Sequence, residues 1–180
     1  YNSDLANDFG RNVRNIVAEQ EFSNVFPLVN LAQDSRAANR LNTNHGGAYI
    51  AAGVGTAATG RGADIALIDD PFKDREEADS QRRRDLVWDW YRSTLFTRLM
   101  PGGSIVLIQT RWHEDDLAGR LLQHEPDQWE ILELPAINAA GEALWPDWYD
   151  IKALERIKAT IGPREWSALY QQQPQPDDGT

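Results

Sequence analysis

The sequence predicts an α/β fold: a mostly parallel sheet flanked by helices, expected to be incomplete within these 180 residues. Three observations predict it. Asp64-Ile65-Ala66-Leu67-Ile68-Asp69-Asp70-Pro71 is a short apolar run between a glycine-rich loop and a proline, the form of a buried parallel strand. Ile105-Val106-Leu107-Ile108 is a second continuous apolar run. Between them lies a long helical pattern. The order strand, helix, strand makes a βαβ unit with parallel strands and a right-handed crossover.

The remaining elements follow in chain order. Residues 1–20 read as a helix capped by Ser3 or Asp4, with Leu5, Phe9, Val13, Ile16 and Val17 on one face. Residues 25–30 are a short apolar run suited to a strand, 34–44 a polar loop, and 48–54 a further strand. The helical pattern after Asp69-Asp70-Pro71 covers residues 75–99. Leu86, Val87, Trp90, Tyr91 and Leu95 form its apolar side, and Glu76 and Glu77 suit its first turn. Pro101-Gly102-Gly103 is expected to end it. His113-Glu114-Asp115-Asp116 opens a helix carrying Leu117, Leu121 and Leu122. Residues 129–134 read as a third strand stopped by Pro135, and 144–149 as an aromatic turn. Residues 151–161 and 163–172 read as two helices, with Pro163 at a favourable first-turn position. By this reading residues 1–162 form one domain, and 163–180 are a helix and a linker toward another.

Composition narrows the classes. The chain is 41% hydrophobic and 26% charged, ordinary for a globular protein with one substantial core. It has no cysteine, which excludes disulfides and thiolate metal sites. No apolar run is long enough to span a membrane, so no membrane partner is expected. The net charge of −10 argues against a chain that is basic as a whole, and leaves DNA contact to local patches. Five of the seven tryptophans lie at or after Trp112, which suits core packing or an interface.

Asp69 and Asp70 are the leading candidates for chemistry. Two carboxylates at the carboxyl end of a parallel strand lie where open α/β sheets bind ligands. This is the form of a Walker B strand, which places an Asp near the Mg²⁺ of a bound nucleotide. An ordinary strand closed by an Asp-Asp-Pro turn fits the same residues equally well. In the functional reading Asp69 holds the metal, through water, and Asp70 orients or polarises the attacking water. Gln109 and Thr110 follow the second strand and would sit at the same sheet edge, where a polar residue can sense a γ-phosphate. Arg61, in the glycine-rich loop, is either an arginine finger or a surface ion-paired residue. That loop lacks the Lys-Ser or Lys-Thr of a phosphate cradle. His113-Glu114-Asp115-Asp116 is better explained as a helix start than as a metal cluster. Arg82-Arg83-Arg84 reads as a solvated helix face with Asp79 and Asp85 as partners. Trp166 and Tyr170 read as packing rather than base stacking. His45, His113 and His124 share no ligand spacing.

Three runs together carry a resemblance. Thr59-Gly60-Arg61-Gly62-Ala63-Asp64 leading into Leu67-Ile68-Asp69-Asp70-Pro71 resembles the large terminase subunit of tailed bacteriophages. So does Gln109-Thr110-Arg111-Trp112-His113-Glu114-Asp115-Asp116-Leu117-Ala118-Gly119-Arg120-Leu121. Trp166-Ser167-Ala168-Leu169-Tyr170-Gln171-Gln172-Gln173-Pro174 is similar to that family's link into its nuclease domain. The resemblance implies a P-loop NTPase-like fold of the additional-catalytic-acid class. It also implies a motor that couples ATP hydrolysis to packaging of double-stranded viral DNA into procapsids. By the same likeness Asp69 matches the Walker B metal-site Asp, Asp70 the catalytic acid, and Thr110 the coupling motif. Arg61 matches an arginine that in some relatives reaches a neighbouring subunit's nucleotide. Implied cofactors are ATP and Mg²⁺. Implied partners are double-stranded viral DNA, a portal protein, a small terminase subunit and further copies of the chain in a ring on the procapsid. The expected place is the host bacterial cytoplasm. The family's Walker A loop is expected before Tyr1 and its RNase H-like endonuclease domain after Thr180, so the isolated fragment is expected to be inactive. Two other readings stay open: a metal-dependent endonuclease, which needs a third carboxylate or a Lys converging on the pair, and a non-catalytic DNA- or protein-binding module.

Overall fold

The computed structural model describes residues 3–33, 37, 40–55 and 62–175. They fall into two compact units, Tyr1–Arg61 and Gly62–Thr180.

In the first unit, helix α1 (Ser3–Ala18) is followed by the short α2 (Gln20–Val25), with extended backbone at Glu19 between them. The candidate caps Ser3 and Asp4 lie outside the residues whose side chains are described. Leu5, Phe9 and Ile16 are each about half exposed, so the apolar face of α1 is largely open. The strand expected over 25–30 is instead a tight turn, closed by Phe26 N–H to Phe22 O at 2.8 Å and Val29 N–H to Phe26 O at 3.0 Å. Asn44 fixes it by accepting from Asn30 N–H and donating to Leu28 O. Part of the expected loop over 34–44 forms β1 (Arg40–Asn42), paired antiparallel with β2 (Ala48–Ile50). Turn chemistry explains the difference. Gly46 takes φ 81° and Thr43 N–H bonds Gly47 O at 2.8 Å, closing a hairpin that draws polar residues into a strand.

The second unit contains the predicted βαβ pattern. Strand β3 (Ala63–Asp69) pairs in parallel with β4 (Leu99–Ile108), bringing Asp69 opposite Ile108. Ala66 and Ile68 are buried, whereas Ile65 is 70% and Leu67 61% exposed. The strand expected to be buried on both faces thus has one covered face, since successive residues point to opposite sides. Val106 and Ile108 of β4 are exposed as well. Strand β4 begins earlier than expected. Ala63 pairs with Leu99, and the next register pair is Ile65 with Ser104, so Pro101-Gly102-Gly103 makes a bulge inside the strand rather than a break before it. Gly103 permits this because a Cβ there would lie 3.0 Å from both Ala63 O and Met100 O.

The long predicted helix is several pieces: α3 (Arg75–Asp79), α4 (Gln81–Trp90), a π-helical turn (Tyr91–Leu95) and a 3₁₀ turn (Phe96–Arg98). Asp74 caps α3 through Glu77 N–H at 3.0 Å, and Glu76 and Glu77 occupy its first turn as expected. The buried seam is Arg84, Val87 and Tyr91, whereas Leu86 is exposed. Arg84 is therefore no member of a solvated face. Its Nη1 donates to Ala78 O at 2.7 Å and Asp79 O at 2.9 Å, the carbonyls that the end of α3 leaves unpaired.

Helix α5 (Leu117–His124) buries Leu117 and Leu121. No strand forms over residues 129–134, whose Ile131, Leu132 and Leu134 are exposed and have no ladder partner among the described residues. Residues 144–149 form the aromatic turn, with Tyr149 N–H on Trp145 O at 2.8 Å. Helix α6 (Ile151–Glu165) is two helices joined at Gly162, whose φ of 82° and ψ of 171° are non-helical. Pro163 follows as predicted for a second helix start. A π-helical turn, Trp166–Tyr170, completes it, and the Trp166 and Tyr170 rings stack at 5.0 Å. Trp166 is buried, so this pair is core packing.

Candidate functional site

The parallel pairing of β3 and β4 brings Asp69, Asp70 and Thr110 to one end of the sheet. Asp70 N–H donates to Ile108 O at 2.9 Å, one rung beyond the strand. The chain then turns sharply. Asp70 adopts φ 39°, the left-handed region that L side chains rarely enter, and Pro71 follows with no N–H to continue the ladder. This turn directs the Asp70 carboxylate toward the next loop, where its Oδ1 accepts Thr110 N–H at 2.9 Å. Asp69 and Asp70 are both solvent-exposed. The Asp69 carboxylate accepts no hydrogen bond among the described residues, which leaves it open to water or a cation.

Not every candidate converges. Asp69 is register-paired with Ile108, and Gln109, one residue on, turns the other way. Its side chain lines a cavity of about 140 Å³ with Leu107, Leu121, Trp129 and Ile131. Both polar atoms of the Gln109 amide are buried there without a hydrogen-bond partner. Arg61 lies outside the described residues.

The loop after β4 is held by side-chain pairs that the sequence reading does not predict, although it places Asp116 at the helix start. Arg111 Nε donates to both oxygens of Asp116 at 3.1 and 3.0 Å, and Asp116 is fully buried. Asp116 also caps α5 through Gly119 N–H at 2.9 Å. Burial pushes its pKa up, against the pull of Arg111 and the backbone donors. Gly119 is required here: a Cβ would collide with the Glu114 carbonyl. Arg75, at the start of α3, donates to the Trp112 carbonyl and lies over the Trp112 ring at 5.5 Å. It also forks onto Glu165 of α6 at 3.0 and 2.7 Å. Arg111 N–H donates to Gln172 Oε1 at 3.2 Å. Long-range pairs such as Arg75 with Glu165 leave no spacing signature in the sequence. The only available hint was the clustering of Arg and acid around the two strand ends.

His113 and its acidic neighbours serve the helix start. His113 Nδ1 accepts Asp115 N–H at 2.9 Å. Burial, then the Arg84 charge, lowers the His113 pKa, with nearby acids opposing. The bond from Arg120 holds Asp115 below the usual carboxylate range, helped by Arg84 and opposed by burial. Among the described residues no three His, Asp or Glu side chains converge to hold a metal. One exposed carboxylate still suits Mg²⁺ carried by a nucleotide, because this ion keeps several waters and takes one or two carboxylates plus phosphates.

A parallel βαβ pair with adjacent acids beyond one strand, answered by a polar loop beyond the other, defines an α/β protein with a strand-end acidic site. The profile of the family "Terminase large subunit, T4likevirus-type, N-terminal" matches residues 23–170. The chain belongs to this family of phage terminase large subunits, and with it to packaging motors in general. No curated protein sequence matched the chain. No helix among the described residues is long and apolar enough to cross a membrane.

Proposed function

We propose that this chain is the later part of the ATPase region of a phage terminase large subunit, with a P-loop NTPase-like fold of the additional-catalytic-acid class. The observation that carries the reading is the Asp70 carboxylate on the Thr110 amide, across two parallel strands whose ends also present Asp69. Asp69, exposed at the strand end, would hold the nucleotide's Mg²⁺ through water. That ion supplies charge neutralisation at the β- and γ-phosphate oxygens. Asp70 would orient the attacking water and accept a proton from it as the water oxygen bonds the γ-phosphorus and the γ-phosphorus–oxygen bond to ADP breaks. Thr110 senses the γ-phosphate through the same loop. Arg61 serves as the transition-state arginine, toward this or a neighbouring subunit's nucleotide. No Gly-x-x-x-x-Gly-Lys-Ser/Thr run occurs in these residues, so this reading assigns none of them the phosphate-cradling role. Hydrolysis then drives double-stranded viral DNA into the procapsid, in a ring of such subunits at the portal with the small terminase subunit, in the host cytoplasm.

Asp69→Ala and Asp70→Asn tested in the intact protein are each expected to lower phosphate release by about a hundredfold or more, the loss typical of a removed transition-state group. Near wild-type turnover in both would overturn the site assignment. Nuclease activity that requires Asp69 and Asp70 would instead favour a metal-dependent endonuclease.

A further inference from the structure

Two non-glycine residues among those described have a positive φ: Asp70 at 39° and Gln172 at 58°. They lie about a hundred residues apart in sequence, yet their side chains hold consecutive amides of one loop. Asp70 Oδ1 takes Thr110 N–H at 2.9 Å, and Gln172 Oε1 takes Arg111 N–H at 3.2 Å. Side chains forced into the left-handed region persist only where their surroundings over-determine them.

Gln172 is over-determined in this way. Its Nε2 donates to Leu169 O at 2.8 Å. Gln171 beside it pairs with the Ile137 main chain like a strand, accepting N–H at 3.1 Å and donating to the carbonyl at 2.9 Å. Gln173 N–H bonds Ser167 O at 2.8 Å, while Ser167 Oγ donates to Gln173 O at 2.6 Å. Ala136 N–H bonds Tyr170 O at 2.7 Å. On the other side, Arg111 is anchored by its fork onto buried Asp116. Thr110 is thus gripped on both sides: the Asp70 carboxylate holds the N–H of the Gln109–Thr110 peptide, and the Gln172 amide holds the N–H of the Thr110–Arg111 peptide.

We infer that Gln172 is a positioning residue that ties the Asp69–Asp70 site to the chain around Tyr170. When Asp70 leaves the Thr110 amide to engage the attacking water, the Gln109–Thr110 peptide is released and Thr110, with the Thr110–Arg111 peptide that follows it, reorients. The Arg111–Gln172 bond passes that reorientation to residues 170–173 and, through Gln171, to residues 136–137. This inference rests on the ATPase reading of the site.

Two substitutions isolate the link. Gln172→Gly accepts φ 58° without strain but removes the acceptor. Gln172→Glu restores an acceptor oxygen while losing, like Gly, the donor to Leu169 O. Three quantities are measured in the intact large subunit: ATP turnover, base pairs packaged per ATP, and hydrogen exchange at residues 134–138 with and without a non-hydrolysable ATP analogue. In Gln172→Gly, turnover is expected to stay within about twofold of wild type while base pairs per ATP fall about tenfold, a coupling loss of ordinary size. The analogue-dependent change in exchange should disappear with it, and Gln172→Glu should restore both. Unchanged base pairs per ATP and unchanged exchange in Gln172→Gly would overturn the link. So would equal losses in both variants, which would assign the effect to the Leu169 bond. If Asp69→Ala and Asp70→Asn both leave turnover intact, the site reading fails and the link with it. If Asp70 is essential and Gln172→Gly packages normally, only the link fails.

Discussion

Arg84 donates to three oxygens contributed by two elements: Ala78 O, Asp79 O, and Asp115 Oδ2 at 2.9 Å. At 9% exposure it has little water to fall back on. Removing it strands two helix-end carbonyls and takes from Asp115 one of its two arginine partners. Arg84→Ala is therefore expected to cost roughly 2 kcal/mol, chiefly from leaving the two helix-end carbonyls without a donor, since Asp115 keeps Arg120, read as a shift of the urea midpoint. A loss no larger than that of the more exposed Arg83→Ala would contradict it. His113 gives a pH signature at the same scale. Its folded pKa lies below the ordinary 6.5, so its contribution to stability is present above 6.5 and is lost as pH falls from there toward the folded value. Protonation also removes the Nδ1 acceptor of Asp115 N–H. Asp116 acts in the opposite sense: its raised pKa favours the fold below its ordinary 3.8, a gain lost as pH rises through the folded value. The wild-type minus His113→Gln difference cancels that background. It should shrink steadily as pH drops below 6.5, and a flat difference would remove His113 from the account.

The elements that sequence periodicity specifies are those whose stability is local. Strands β3 and β4, the start of α3 at Asp74, and the helix restart at Pro163 each carry their own signal: an apolar run, a cap, a proline. Elements decided by distant partners were not legible. Ser80, the N-cap of α4, is a weak mark of the break between α3 and α4, because its side chain makes no cap bond and Arg84 satisfies the carbonyls there only after folding. Residues 129–134 have strand composition but no ladder partner among the described residues, and β1 formed from polar residues because a Gly46 turn presented β2 to it. The candidate site divides the same way. Asp69, Asp70 and Thr110 were readable from strand ends. Arg75 and Gln172 were not, since Glu165, Trp112 and Arg111, the groups they hold, lie tens of residues away. The bulge at Pro101-Gly102-Gly103 makes an element-scale test. With 3.0 Å available to a new Cβ, Gly103→Val should force β4 to shift and cost roughly 1–3 kcal/mol by overpacking. The same change at Gly102 meets open space but a φ of 83°, so it tests strain alone. Thermal denaturation that leaves Gly103→Val at wild-type stability would mean the bulge is looser than these distances imply.

At the scale of the whole molecule, apolar burial is unevenly divided. Among the described residues Leu41 is the one buried hydrophobic side chain of the first unit, whereas Ala66, Ile68, Phe72, Val87, Tyr91, Leu117, Leu121, Leu154 and Trp166 are buried in the second. Folding requires enough apolar burial to offset chain entropy, and a single buried leucine supplies about 2 kcal/mol at most. The second unit should therefore unfold as a cooperative body when produced as residues 62–180, with an enthalpy of about 80 kcal/mol for its size. Residues 1–61 alone should show helical signal from α1 that melts without a sigmoidal transition. The exposed apolar face of β3 and β4 adds a second expectation for the larger piece. Leu67→Thr with Val106→Thr, both on that open face, should reduce dye-reported hydrophobic surface and self-association without lowering the melting temperature, because neither side chain is buried. If the melting temperature of residues 62–180 instead falls on this change, the face is covered in solution and the exposed residues belong to an interface. If residues 1–61 melt cooperatively alone, the first unit holds a core that one buried leucine does not explain.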